Sequence, residues 1–179
     1  MKNIHPIVRL TIAWCLVIFT IIVTTYPATD SEGFIHDRTS NNTEDSELIK
    51  QKSKLLVQSV IDKVNLFSFE YQNKFLHWQN NTNDNKTIIK ETRDHIKNLE
   101  DAIVYSKNFT LSDNYKPVIA MYTKSLQSEI DSYEYFVKAI SALNNTEKKI
   151  FMDTSDELLS SALTQEMQAL SEFKKTSSE

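Results

Sequence analysis

Glycine is nearly missing from this 179-residue chain, in which Gly33 is the only one. Phosphate loops, nucleophile elbows and dinucleotide turns need glycine where backbone must come close to a ligand, so none of them can be built here in its usual form. Tight β-hairpins usually need it as well, which turns the composition toward helix. Proline is scarce too, with three in all and only Pro117 beyond Pro27. The single cysteine, Cys15, permits no intramolecular disulfide, so any exported domain must be held by its own core. It follows the bulky Trp14 in mid-segment, which does not suit lipidation. A basic stripe is also lacking. Only Lys2 and Arg9 precede Asp30, so of 20 basic and 24 acidic residues the part beyond residue 29 carries a net charge of −6. Such a surface repels phosphate backbones and argues against nucleic acid as a partner.

What is present begins with an uncharged run, Leu10 to Tyr26, preceded by Lys2, His5 and Arg9 and followed by Asp30 and Glu32. Seventeen helical residues reach about 26 Å, close to the ~30 Å hydrocarbon core, and Thr24, Thr25 and Tyr26 extend the run into the interface. A removable signal has a shorter apolar region and small residues before the cut. Here the best cut follows Ala28, but Tyr26 occupies the position two earlier. The rules therefore favour a retained signal-anchor in the lipid bilayer, with residues 1–9 inside and the bulk of the chain outside, in a single-pass cell-membrane protein. Cleavage and secretion is the alternative. Either outcome exports the remainder.

Residues 27–42 are polar and rich in turn formers, which reads as a flexible stalk. Helical periodicity follows. The first pattern, about Glu44 to Gln79, carries Ile49, Leu56, Val60, Val64, Phe67, Tyr71, Phe75 and Trp78. The second, Asn85 to Lys107, carries Ile89, Thr92, Ile96, Leu99 and Ile103. The third, Asn114 to Leu143, keeps heptad spacing through Ile119, Tyr122, Leu126, Glu129, Tyr133, Phe136, Ile140 and Leu143, with Ile130 and Val137 beside it. Pro117 sits in its first turn, where the missing N–H costs little. The fourth has Leu159, Leu163, Met167, Leu170 and Phe173 on one face, and Thr154 with Glu157 reads as a capping box that separates a turn at 146–152 from the main helix. The expectation is an all-α protein: an N-terminal single transmembrane helix, then an up-down antiparallel four-helix bundle over residues 43–175 with a tail at 176–179. The rival arrangement is a dimer whose longer helices pair as coiled coils between chains.

Sequons for N-glycosylation occur at Asn41, Asn80, Asn85, Asn108 and Asn144, one or more in every connection of the expected bundle. Asn, Ser and Thr are also turn residues and generate such triplets unaided. The sequons fit a solvent-facing domain in either case.

Catalytic chemistry is not found. No Glu-x-x-His pair supports a di-iron site, since Thr92 stands three before His95 and Lys74 three before His77. Glu91 and His95 share a helical face, but two ligands do not make a metal site, and a solvated pair is the simpler reading. No serine sits in a nucleophile motif, and no cofactor is indicated. Glu129 breaks the apolar heptad series; it is either a buried carboxylate that needs a partner or, if the face drifts onto Ile130, a boundary residue. Trp78 and Tyr133, with neighbouring aromatics, line either a pocket or the core. The functional expectation is a non-enzymatic, membrane-tethered binding or interaction module for a partner protein or a small solute. The alternative is a structural, oligomerising subunit of a cell-surface complex.

Overall fold

The computed structural model describes residues 43–178, with side chains from Ser46 onward. Four helices and no strand occur among the described residues: α1 Thr43–Gln79, α2 Asn85–Lys107, α3 Lys116–Ser141 and α4 Asn145–Thr176. The expected span Leu10–Tyr26, the stalk and Asn41 lie outside the described residues. No helix among the described residues is long and apolar enough to cross a membrane.

Asparagine and aspartate set several of the helix ends in place of glycine. At the end of α1, Asn81 takes the left-handed conformation (φ 57°) that glycine would normally fill, and the Thr82 and Asn80 amides donate to the carbonyls of His77 and Leu76. Asp84 caps α2 by accepting from the Thr87 amide at 2.7 Å. That amide holds the Asp84 carboxyl below its ordinary range. Pro117 falls in the first turn of α3 as expected.

The break expected before Thr154 is absent. Asn144 caps α4 by accepting from the Glu147 amide at 2.8 Å, the helix runs unbroken from Asn145, and the Thr154 hydroxyl merely donates to Ile150 one turn back. Asn144 with Glu147 is itself the capping signature, placed ten residues earlier than the Thr154–Glu157 pair.

Consecutive helices pack against each other, and the contacts make them antiparallel. Near the end of α1 and the start of α2, Tyr71 reaches Thr92, Trp78 reaches Asn85, and Lys74 pairs with Glu91. Ser53, near the other end of α1, accepts from the Ser112 amide in the α2–α3 connection. Ile88 of α2 meets Phe136 of α3, and Tyr115 at the head of α3 meets Phe173 and Ser177 at the foot of α4.

The core differs from the expected stripes in a regular way. In α1, Val57, Val60, Ile61, Val64 and Tyr71 are buried, whereas Ile49 is half exposed. In α2, Thr92, Leu99 and Ile103 are buried as expected, but the face is centred slightly to one side, so Ile88 and His95 lie inside while Ile89 and Ile96 are only half-buried. In α3, Ile130 is buried and Leu143 is wholly exposed. The largest change is in α4, whose buried residues are Ser155, Ala162, Ala169, Phe173 and Thr176, while Met167 faces solvent and Leu159, Leu163 and Leu170 flank the seam.

The reason lies in side-chain size. Ser125, Ser132 and Ala139 recur every seven residues on α3, and Ser155, Ala162, Ala169 and Thr176 every seven on α4, all buried. Small groups facing one another let two backbones approach more closely than leucines would, and α3 and α4 share the most extensive backbone approach among the described helices. The approach is close enough for reciprocal bonds: the Ser132 hydroxyl donates to the Ser155 carbonyl at 2.8 Å, and the Ser155 hydroxyl to the Ser132 carbonyl at 2.9 Å. Carried along this antiparallel register, Ser125 falls opposite Ala162 and Val118 opposite Ala169.

Ala162→Leu inserts a branched side chain where the helices have no room, and is expected to cost roughly 1–3 kcal/mol. Leu143→Ala, at a wholly exposed position, should change stability by less than about 0.5 kcal/mol. Urea denaturation of the two variants checks both figures.

Candidate functional site

A polar cluster in the interior of the bundle draws on α1, α2 and α3, with Glu166 of α4 in electrostatic reach. From α1 comes Tyr71, which is buried and donates to or accepts from the Thr92 hydroxyl of α2 at 2.8 Å. Thr92 also donates to the Ile88 carbonyl at 2.7 Å, so it accepts from Tyr71 and the phenol hydroxyl is the donor. Burial pushes the Tyr71 phenol well up from its ordinary value, and the charge of Glu129 adds to this against the opposing Thr92 bond.

His95, one turn beyond Thr92, is only 2% exposed. Its ring lies parallel to that of Tyr71, with centroids 4.5 Å apart, and meets the Tyr133 ring edge-on at 5.1 Å. Neither ring nitrogen has a hydrogen-bond partner. The nearest charged atom is Glu129 Oε1, 3.8 Å from Nε2. A buried polar group without a partner is costly, so this imidazole is the least satisfied side chain of the interior.

Glu129 and Tyr133 come from one face of α3, four residues apart, and the Tyr133 hydroxyl donates to Glu129 Oε1 at 3.0 Å. The Glu129 side chain keeps 15% of its exposure, so Glu129 stands at the inner boundary while Ile130 fills the core. From α4, Glu166 lies within electrostatic reach of Glu129. Burial first, and the Glu129 charge second, push its carboxyl up from 4.5 to about 8. The Glu166 side chain as a whole is half-buried, so water still screens part of this effect.

Trp78 lies apart from this cluster. It packs with Phe75 and Phe136 near the α1–α2 turn, and its indole N–H donates to Asn85 Oδ1 at 3.0 Å. A run of ring contacts, Trp78 to Phe75 to Tyr71 to His95 and Tyr133, links the two regions. The aromatics thus serve mainly as core around the polar group.

The solvated Glu91–His95 pair expected from the sequence does not form. Glu91 pairs across the helices with Lys74 at the surface, while a slight turn of the α2 face carries His95 inward. Among the described residues no group of three or more His, Cys, Asp or Glu side chains could hold a metal ion. The sequon residues Asn80, Asn85, Asn108 and Asn144 are all exposed at helix ends. Two of them do structural work, since Asn144 caps α4 and the Asn108 amide donates to the Val104 carbonyl at 3.3 Å.

Sequence reasoning missed Glu166 and placed His95 outside. A second stripe, Ile88, Thr92, His95, Leu99, Ala102 and Ser106, runs along α2 at the same three-and-four spacing as the chosen one. It goes unnoticed when only large apolar residues are counted. No family model, curated protein or solved structure matches the chain.

Glu166 makes stability depend on pH in a defined direction. Below about 4.5 the carboxyl is protonated both folded and unfolded, and nothing is lost. Between about 4.5 and 8 the unfolded chain releases the proton while the folded one keeps it, so stability falls as pH rises; above about 8 both are ionised and the loss is complete. Glu166→Gln should therefore stabilise the protein at pH 8.5, by on the order of 2 kcal/mol once residual exposure is allowed for, and by almost nothing at pH 4.5. Thermal melts of the two proteins across this range check the sign.

Proposed function

We propose that this chain is a non-enzymatic interaction module: an extracytoplasmic helical bundle, held at the cell membrane by Leu10–Tyr26, that offers the outer face of α1 to a helix of a partner protein. The observation that carries the reading is a second apolar stripe on α1. Leu48, Leu55 and Leu66 are 63%, 70% and 56% exposed, and Phe69 lies at their edge. At 3.6 residues per turn these positions fall within roughly 60° of one another, on the side away from Val57, Val60, Val64 and Tyr71. A helix in a folded domain needs one apolar face to join the core, and α1 has two.

The surroundings of the stripe suit a protein surface. Gln51, Gln58, Asn65 and Gln72 border one edge and Lys52 and Lys63 the other, which gives an apolar centre with a polar rim. Lys52 and Lys63 on this edge, with Glu70 among them, in a domain (residues 43–179) whose net charge is −4, favour a partner helix with an acidic flank. Anchoring would confine the module to two dimensions and raise its effective concentration toward a partner in the same membrane. The exposed sequons accord with export, and modification of the Asn85 or Asn144 nitrogen would leave the oxygen that each uses as an acceptor.

The second reading, an oligomerising structural subunit, would pair the same stripe with that of another copy. Asp62 lies within the stripe, and in a parallel pair it would face its own counterpart, which disfavours that arrangement.

A photo-reactive residue placed at position 55 or 66 of the full chain in its native membrane should cross-link to a second protein, and one at the exposed Glu157 of α4 should not. The double variant Leu55→Glu, Leu66→Glu should lose that capture at least about tenfold while its helicity and melting temperature stay unchanged. Undiminished capture by the double variant would overturn the reading. Cross-links only between copies, with a concentration-dependent mass in detergent, would select the oligomeric alternative.

A further inference from the structure

The geometry points to a proton-operated lock inside the bundle: we propose that His95, Glu129 and Glu166 hold α2, α3 and α4 together at mildly acidic pH and loosen them above neutrality. The inference is independent of the outer face of α1.

The groups that face His95 come from every element packed against it. Tyr71 of α1 stacks on the ring, Thr92 of α2 lies one turn away, and Glu129 and Tyr133 of α3 stand at its Nε2 side; Glu166 of α4 lies within electrostatic reach of Glu129. Among the described residues, no lysine or arginine is paired with Glu129 or Glu166; the ion pairs of the surface involve other carboxylates. The cluster must therefore balance its charge with protons alone.

Imidazole is the side chain whose charge changes between pH 5 and 8. With a proton on His95 and one on Glu166, the imidazolium offsets the Glu129 carboxylate and the interior is neutral overall. Both ring nitrogens are then donors, and the 3.8 Å separation from Glu129 Oε1 can close into a charge-assisted hydrogen bond between α2 and α3. With both protons gone, Glu129 on α3 and Glu166 on α4 are both charged and within electrostatic reach of one another, and neither is paired with a lysine or arginine among the described residues. Like charges held in a medium of low dielectric repel strongly, and the two helices that bear them are the pair in closest approach.

The position of Nε2 is what sets this cluster apart from a simple buried acid. An imidazole with a permanent role in the fold normally has at least one nitrogen bonded, which fixes its tautomer. Here both are unbonded, as expected of a group that gains its partner only on taking up a proton.

The decisive measurement is the nitrogen-15 spectrum of the His95 ring in the folded full chain in detergent, between pH 5 and 8.5. The ring signals should move from the imidazolium to the neutral pattern within that range, and the midpoint should move to lower pH in Glu129→Gln. Over the same range the melting temperature of the wild type should fall by at least about 5 °C and amide protection along α3 and α4 by about tenfold after correction for intrinsic exchange. His95→Gln and Glu166→Gln should each flatten part of that slope. Asp94→Asn, at a surface carboxylate held ionised by Lys90, should leave it intact. Ring signals that stay constant across the range in a folded protein would overturn the proposal, as would an unchanged slope in the double variant His95→Gln, Glu166→Gln. Should a variant fail to fold, the wild-type ring titration decides alone.

Discussion

Close approach of α3 and α4 is the constraint on which the rest of the bundle depends. Two hydroxyls, Ser132 and Ser155, each donate to the other's backbone carbonyl, and this reciprocal pair fixes both the distance and the register of the last two helices. Small residues at intervals of seven extend the fit in both directions. Once α4 is seated in that way, its large side chains have no place in the seam and move to its flanks, so Phe173 reaches Tyr115 and Glu166 is carried to the neighbourhood of Glu129. The polar interior is thus a by-product of how the backbones meet.

The same constraint explains what could and could not be read from the chain. Helix positions were legible because so few breakers interrupt the pattern; the observed bounds of α1, α2 and α3 lie within a few residues of those expected. Core faces were legible where large apolar residues do the packing, as with Val60, Val64, Tyr71, Leu99, Tyr122, Leu126 and Phe136. They were illegible where serine and alanine do it. A stripe of Ser155, Ala162 and Ala169 has little hydrophobicity to register against Leu159, Leu163 and Leu170, although its sevenfold spacing is regular. A capping box at Thr154 failed for a related reason: Asn144 offered an equivalent cap earlier, with helix formers and no breaker between them.

For the candidate site, Glu129 and Tyr133 stood out in the sequence because a polar residue interrupted an apolar series, and the two are joined by a hydrogen bond. Their surroundings did not stand out. His95 is brought to Glu129 by a slight rotation of α2 from the expected face, and Glu166 by the seating of α4, and neither is a local property of its own segment. Long-range relations of this kind depend on how helices turn about their axes, a quantity that periodicity fixes only to within a residue or so.

Among the described helices the principal backbone approaches join neighbours in sequence: α1 with α2, α2 with α3, α3 with α4. Such low contact order allows rapid, stepwise assembly from consecutive hairpins. Because the tightest of them joins the last two of the described helices, the nascent polypeptide must be translated through α4 before its firmest interhelical seam can close. Until then the earlier hairpin stands with part of its greasy lining open to water, a window in which a chaperone has something to hold.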